Sequence, residues 1–200
     1  MKIENLKVYD LEESLIASGF AMRTEVDSSK EPTEKDWKRG LNLVKASNGN
    51  GAHAQWLTGV NVSFDLTCSI KMWTEIERYR FCSFVTSQST MHRIAKFDLN
   101  KQCNEWVCGE TLEILEKLKN DYNANPTPEN YLKLLYNVPT GFELTARLTT
   151  NYRCLLNMYI QRFNHRLPEW RDFCARLLEL PHFKEIVEAY KGEENETNSN

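Results

Sequence analysis

Two stretches of the chain alternate between apolar and polar side chains. Val60, Val62, Phe64 and Leu66 interleave with Asn61, Ser63, Asp65 and Thr67, and Phe142, Leu144, Ala146 and Leu148 interleave with Glu143, Thr145, Arg147 and Thr149. Period-two alternation sends successive side chains to opposite faces, so each stretch predicts a strand with one dry face, and the polar face of the first could line a cleft. Residues 2–8 alternate more loosely, and residues 81–85 offer a fourth strand.

Elsewhere the apolar spacing is helical. It predicts helices over residues 11–18, capped by Asp10 and ended by Gly19, and from a Thr33 cap with Asp36 three residues on to about Lys45. Further helices are expected over residues 69–78, 152–163 and 168–180, and over 128–136 behind a Thr127 cap and Pro128. The longest is expected over residues 101–122, with Val107, Leu112, Ile114, Leu115 and Leu118 on one stripe, as an outer buttress. Pro181 ends the helix before it, and residues 185–190 add a turn or two. Residues 27–30 read as a loop, and residues 47–51, rich in Asn and Gly, as a flexible turn delivering His53 to the next strand. The expected architecture is α+β, a mixed sheet flanked by helices in one domain over residues 1–191, with a disordered polar tail over 192–200.

Composition narrows the function classes. With 200 residues, 41% hydrophobic and 26% charged, the chain can bury its own core, and a net charge of −3 argues against bulk binding to nucleic acid or membrane surfaces. The amino-terminal residues show no signal-peptide run and no stretch is apolar enough to span a membrane, so a cytoplasmic location is expected. Six cysteines at expected core positions read as reduced; Cys103 and Cys108, five apart on the expected long helix, fall on different sides, and no metal site is assigned.

Against this acidic background the stretch 78–93 stands out. Arg78, Arg80, His92 and Arg93 frame a run containing Ser87, Gln88, Ser89 and Thr90. Guanidinium forks match phosphate and carboxylate oxygens, and short hydroxyls add donors, so the stretch reads as an anion site. Arg78 and Arg80 point to one side if the backbone is extended and splay apart if Arg78 closes a helix. An Arg-x-Arg pair alone is more often a solvated charged edge.

Arg78-Tyr79-Arg80 followed by Ser89 resembles the Arg-His-Arg, seven residues, Ser signature of flavin-dependent thymidylate synthases. The Gly51-Ala52-His53 segment and the strand after it resemble that family's Gly-His segment. Asn151-Tyr152-Arg153-Cys154-Leu155-Leu156-Asn157, running on to Arg162, resembles its Asn-x-Arg-Ser-Leu-x-Asn helix, and Glu169-Trp170 echoes its Gln-Trp-Glu. The blocks cover roughly residues 50–95 and 130–180 and occur in the family's order. The departures are Tyr79 for the signature's His, one extra residue before Ser89, Glu75 for a glutamine, Ser87 for a glutamate, Met91 for an arginine that His92-Arg93 could replace, and Leu135 for another.

The resemblance implies reductive methylation of dUMP to dTMP by a homotetramer with active sites at subunit interfaces, using FAD, NADPH and methylenetetrahydrofolate. It implies that His53, Arg78, Tyr79, Arg80, Asn151, Arg153 and Asn157 hold the flavin. It places Glu75, Arg78, Ser87, Gln88, Ser89, Arg93 and Arg162 around the nucleotide, with Ser89 and Arg162 closest to the chemistry. No cysteine nucleophile is required. The departures gather on the nucleotide side, which leaves two further readings: FAD-dependent C5 methylation of another uridine nucleotide, and a non-catalytic nucleotide-binding homologue.

Overall fold

The computed structural model describes residues 1–27, 30–47 and 53–192; the middle of the 27–30 loop, nearly all of the 47–51 turn and the tail after Gly192 lie outside the described residues. The elements in chain order are β1 (Lys2–Tyr9), α1 (Leu11–Ala17), α2 (Glu34–Ala46), β2 (Asn61–Ser69), α3 (Ile70–Ile76), β3 (Ser83–Ser87) and α4 (Thr90–Arg93). They continue with α5 (Leu99–Gln102), α6 (Gly109–Ala124), α7 (Pro128–Tyr136), β4 (Glu143–Asn151), α8 (Tyr152–Arg162), α9 (Pro168–Leu177) and α10 (Phe183–Lys191). The strands form one sheet in the order β1-β2-β4-β3.

Cross-strand contacts give the directions. Thr67 Oγ1 lies 2.7 Å from Thr145 Oγ1 and Arg147 Nη1 lies 3.1 Å from Asp65 Oδ1, so pairing advances along β4 as it retreats along β2. Asn5 to Asp65 and Asn61 to Asp10 relate β1 and β2 in the same way, and Gln88 to Thr145 and Phe81 to Thr150 relate the flanks of β3 to β4. The expected mixed sheet is therefore corrected to an antiparallel one. On β2 the alternation holds: Val62, Phe64 and Leu66 are buried while Asn61, Ser63, Asp65 and Thr67 are at least partly open.

The chain divides into two compact units, each made of several segments. The first comprises residues 1–5, 64–80 and 84–148. Ile94, Leu99, Leu115, Leu134 and Phe142 form one of its cores. Ser69 caps α3 through the Met72 N–H, and Trp73 Nε1 donates to Leu144 O at 3.2 Å. The expected helix over residues 101–122 is broken. Cys103 bridges to Phe142 and the Asn104 N–H donates to Gly141 O at 3.0 Å, so the backbone between α5 and α6 leaves the helical path to pair with the segment leading into β4. Val107 accordingly lies outside any helix, Cys103 and Cys108 share none, and Ile114 is 56% exposed while Leu115 is buried. Cys108, expected in the core, is exposed.

The second unit comprises residues 6–63, 81–83 and 149–200. Thr33 and Asp36 form the expected capping box on α2. Asp10 does not cap α1 with its side chain: its φ of 61° is left-handed, and its carboxylate meets Asn61 Nδ2 at 3.4 Å. Gly40 lets α2 approach α1 closely, because a Cβ there would run into Leu15 Cδ1. The turn expected over residues 185–190 is a full helix, α10, which buries Phe183, Ile186 and Val187, and Trp37 of α2 stacks on His182 with ring centroids 3.9 Å apart. α9 stops at Leu177, three residues before the expected end, and Pro181 does not prevent the next helix, which starts behind His182 in a left-handed conformation.

Candidate functional site

The segment between α3 and β3 is built on an alternation of its own. α3 stops at Ile76, two residues short of the expected end, so Arg78 does not close a helix. Tyr79 turns inward at 7% exposure and its N–H donates to Ile76 O at 2.9 Å, while Arg78 and Arg80 on either side are exposed. A buried aromatic ring therefore anchors a turn that carries two outward guanidiniums. Neither arginine has an ion-pair or side-chain hydrogen-bond partner among the described residues, and the same holds for the exposed Arg93 at the end of α4.

Ser89 stands at the N-cap position of α4 without making a side-chain cap, so its half-buried hydroxyl has no partner among the described residues. Ser87 is exposed at the end of β3. Gln88 is engaged: its Oε1 accepts from the Thr145 N–H at 2.9 Å and its own N–H donates to Thr145 O at 2.9 Å, which extends the pairing with β4 by one residue and leaves only the amide N–H groups for a ligand. Glu75 on α3 is ion-paired with Lys71 at 3.0 Å.

In the second unit His53 is exposed and, contrary to the expectation that it leads straight into a strand, precedes a 3-10 turn over Gln55–Thr58. It lines a cavity of about 380 Å³ with Ser14, Ser18, Leu43, Gln55 and Trp56. Asn151 caps α8, its Oδ1 accepting from the Cys154 N–H at 2.9 Å, which places the half-buried Arg153 on the first turn. Asn157 is exposed, and its Oδ1 accepts from Gln161 Nε2 at 3.0 Å. Arg162, the last residue of α8, has Nη1 2.9 Å from His165 Nε2 and its guanidinium carbon 5.0 Å from the centre of the Trp170 ring. Sequence reasoning did not connect His165 with Arg162; the three-residue spacing across a helix end was the available signal.

Two buried cysteines are disfavoured as thiolates. Burial, then neighbouring Cys154, pushes the Cys82 thiol up to about 12. Burial likewise pushes Cys174 up to about 12, against the opposing pull of the Arg162 charge. No group of three His, Cys, Asp or Glu side chains is placed to hold a metal among the described residues, and no helix there is long and apolar enough to cross a membrane.

The expected site residues thus fall into two sets. Glu75, Arg78, Tyr79, Arg80, Ser87, Gln88, Ser89 and Arg93 belong to the first unit, and His53, Asn151, Arg153, Asn157 and Arg162 to the second. Solved structures share this fold over nearly the whole chain. Two structures of the flavin-dependent thymidylate synthase ThyX from Helicobacter pylori, each with FAD and dUMP, superpose with TM-scores of 0.69 and 0.72 at 18% identity, over 96% of this chain and 99% and 100% of theirs. The chain has the fold of flavin-dependent thymidylate synthases. The UMP/dUMP methylase PolB from Streptomyces cacaoi, bound with 5-bromo-dUMP, gives a TM-score of 0.66 at 15% identity, over 96% of this chain and 94% of that one. No protein-family model and no curated protein matches the sequence.

Proposed function

We propose that this chain is a FAD-dependent methylase of a uridine nucleotide, converting dUMP to dTMP with methylenetetrahydrofolate as one-carbon donor and NADPH as reductant, in a homotetramer with active sites at subunit interfaces. One observation carries the reading: on a chain with this fold, Arg78, Arg80, Arg93 and the Ser89 hydroxyl have no partners among the described residues along a single segment. Guanidiniums and a hydroxyl are the donors that phosphate oxygens require, so these residues fit a dinucleotide cofactor and a phosphorylated substrate.

In this assignment Arg78 and Arg80 hold phosphates of FAD and nucleotide, while Ser89 and Arg93 take the substrate phosphate. His53, Asn151, Arg153 and Asn157 hold the flavin, and Arg162 meets the uracil. FAD, when bound, supplies the redox and one-carbon transfer chemistry. The protein supplies fixed positive charge, which stabilises anionic species most where water is thinned out. A second reading keeps FAD and changes the nucleotide. Glu75, where the family signature has an amide, only accepts when ionised and is already paired with Lys71, and one structure with this fold is of a UMP/dUMP methylase.

Mass spectrometry of the purified protein for flavin, followed by turnover of deuterated dUMP beside UMP and modified uridylates, tests both readings. Bound or reconstitutable FAD with methylation of dUMP supports the first, and methylation of another uridylate the second. A colourless protein that takes up no FAD overturns both.

A further inference from the structure

We infer that His165 and Trp170 are positioning residues for Arg162, both holding its guanidinium at the end of α8 and setting the direction in which it meets the uracil. The inference rests on the assignment of Arg162 made above. Arginine has many side-chain rotamers to lose on binding, so one that must present a planar fork to a planar ring gains from being held beforehand.

The structure contains such a hold. Trp170 lies in the first turn of α9, which Pro168 opens, and its ring is fully buried, hence fixed. The guanidinium carbon sits 5.0 Å from that ring centre, within reach of a cation–π attraction. After α8 the chain folds back, the His165 N–H donating to Arg162 O at 3.0 Å, which brings His165 Nε2 to 2.9 Å from Arg162 Nη1. A guanidinium can only donate, so the imidazole nitrogen accepts. The Leu167 N–H approaches Nδ1 at 3.2 Å and competes for the single acceptor nitrogen of a neutral ring; the shorter contact, from a charged donor, is the stronger. The holders also touch each other, His165 meeting Trp170 edge-on with centroids 6.4 Å apart. Arg171 braces the turn from behind, its Nη1 donating to His165 O at 2.7 Å and Arg166 O at 3.1 Å.

The test uses the FAD-loaded enzyme with His165→Ala, His165→Gln and Trp170→Phe. His165→Ala is expected to raise the nucleotide KM about tenfold with FAD occupancy and melting temperature unchanged, and His165→Gln, whose amide oxygen can accept, to restore most of that loss. An activity-independent readout accompanies this. With 15N-labelled arginine, the Arg162 side-chain resonance, identified by its disappearance in Arg162→Lys, is expected to lie upfield over the Trp170 ring. It should shift in both Trp170→Phe and His165→Ala. An Arg162 resonance indifferent to both substitutions overturns the grip. A resonance that moves while the nucleotide KM does not overturns the role in meeting the uracil. A wild-type protein that binds no uridine nucleotide defeats the underlying assignment instead, and the resonance still decides the grip.

Discussion

Two sets of arginines in this molecule meet their charge in opposite ways. In the second unit Arg23 and Arg39 close on one carboxylate, Asp36, at 3.0 and 2.7 Å, and Asp36 also accepts from the Thr33 N–H and hydroxyl at 3.0 and 2.6 Å. In the first unit Arg78, Arg80 and Arg93 remain exposed with no partner among the described residues. Asp36 is buried beneath two partly exposed arginines, and a buried charge is tolerated only when paired. The exposed cations are hydrated and need no partner to be tolerated. One set therefore braces the fold, and the other is left with donors for a ligand.

Substitutions should separate the two sets cleanly. The largest effect is expected from Arg78→Ala: turnover and nucleotide affinity fall by about a hundredfold or more, as when one member of a close charge pair is removed, while stability stays within ~0.5 kcal/mol. Steady-state kinetics beside thermal melting checks this, and wild-type turnover in the variant breaks the comparison.

Asp36→Ala should do the reverse, costing about 1–2 kcal/mol of stability through the lost cap and the lost pairing with two partly exposed arginines, with flavin affinity unchanged. Acid sharpens the contrast. Hydrogen bonds from Thr33 first, and then Arg39, hold the Asp36 carboxyl well below its ordinary 3.8. A depressed carboxyl stabilises the fold above its unfolded value and loses that contribution as pH falls below it. Urea unfolding followed below about pH 4 should therefore show a loss in the wild type that is smaller in Asp36→Asn.

Smaller effects follow. Ser89→Ala removes one hydrogen bond to a charged group and should raise the nucleotide KM about tenfold without changing FAD binding. The smallest concerns thiols: with Cys82 and Cys174 pushed up to about 12 and Cys108 exposed, a thiol reagent at neutral pH should modify Cys108 first and leave stability and activity unchanged, as peptide mapping by mass spectrometry would show.

What the sequence revealed was what is decided locally. The Thr33 capping box, the Thr127-Pro128 start of α7 and the alternations of β2 and β4 all appear where the pattern placed them. What it hid was decided at long range. Nothing near Cys103 announces that its backbone will pair with Phe142, so a continuous helical stripe was read through a break. Pro181 masked α10, whose apolar face is defined by packing on α2. The Arg78-Tyr79-Arg80 turn was legible as a cationic motif, but the burial of Tyr79 between two exposed arginines was not. The commitment of Gln88 to Thr145 depends on a partner 57 residues away.

The central claim is that the exposed Arg78, Arg80 and Arg93 of the first unit serve as ligand donors. It is met most directly by titrating FAD, with dUMP present, into the wild-type protein and into Arg80→Ala, following flavin fluorescence. Saturable binding by the wild type, lost or weakened about a hundredfold in a variant with the same circular dichroism, is the expected result. Absence of FAD binding by the wild type, or equal binding by both proteins, contradicts the claim.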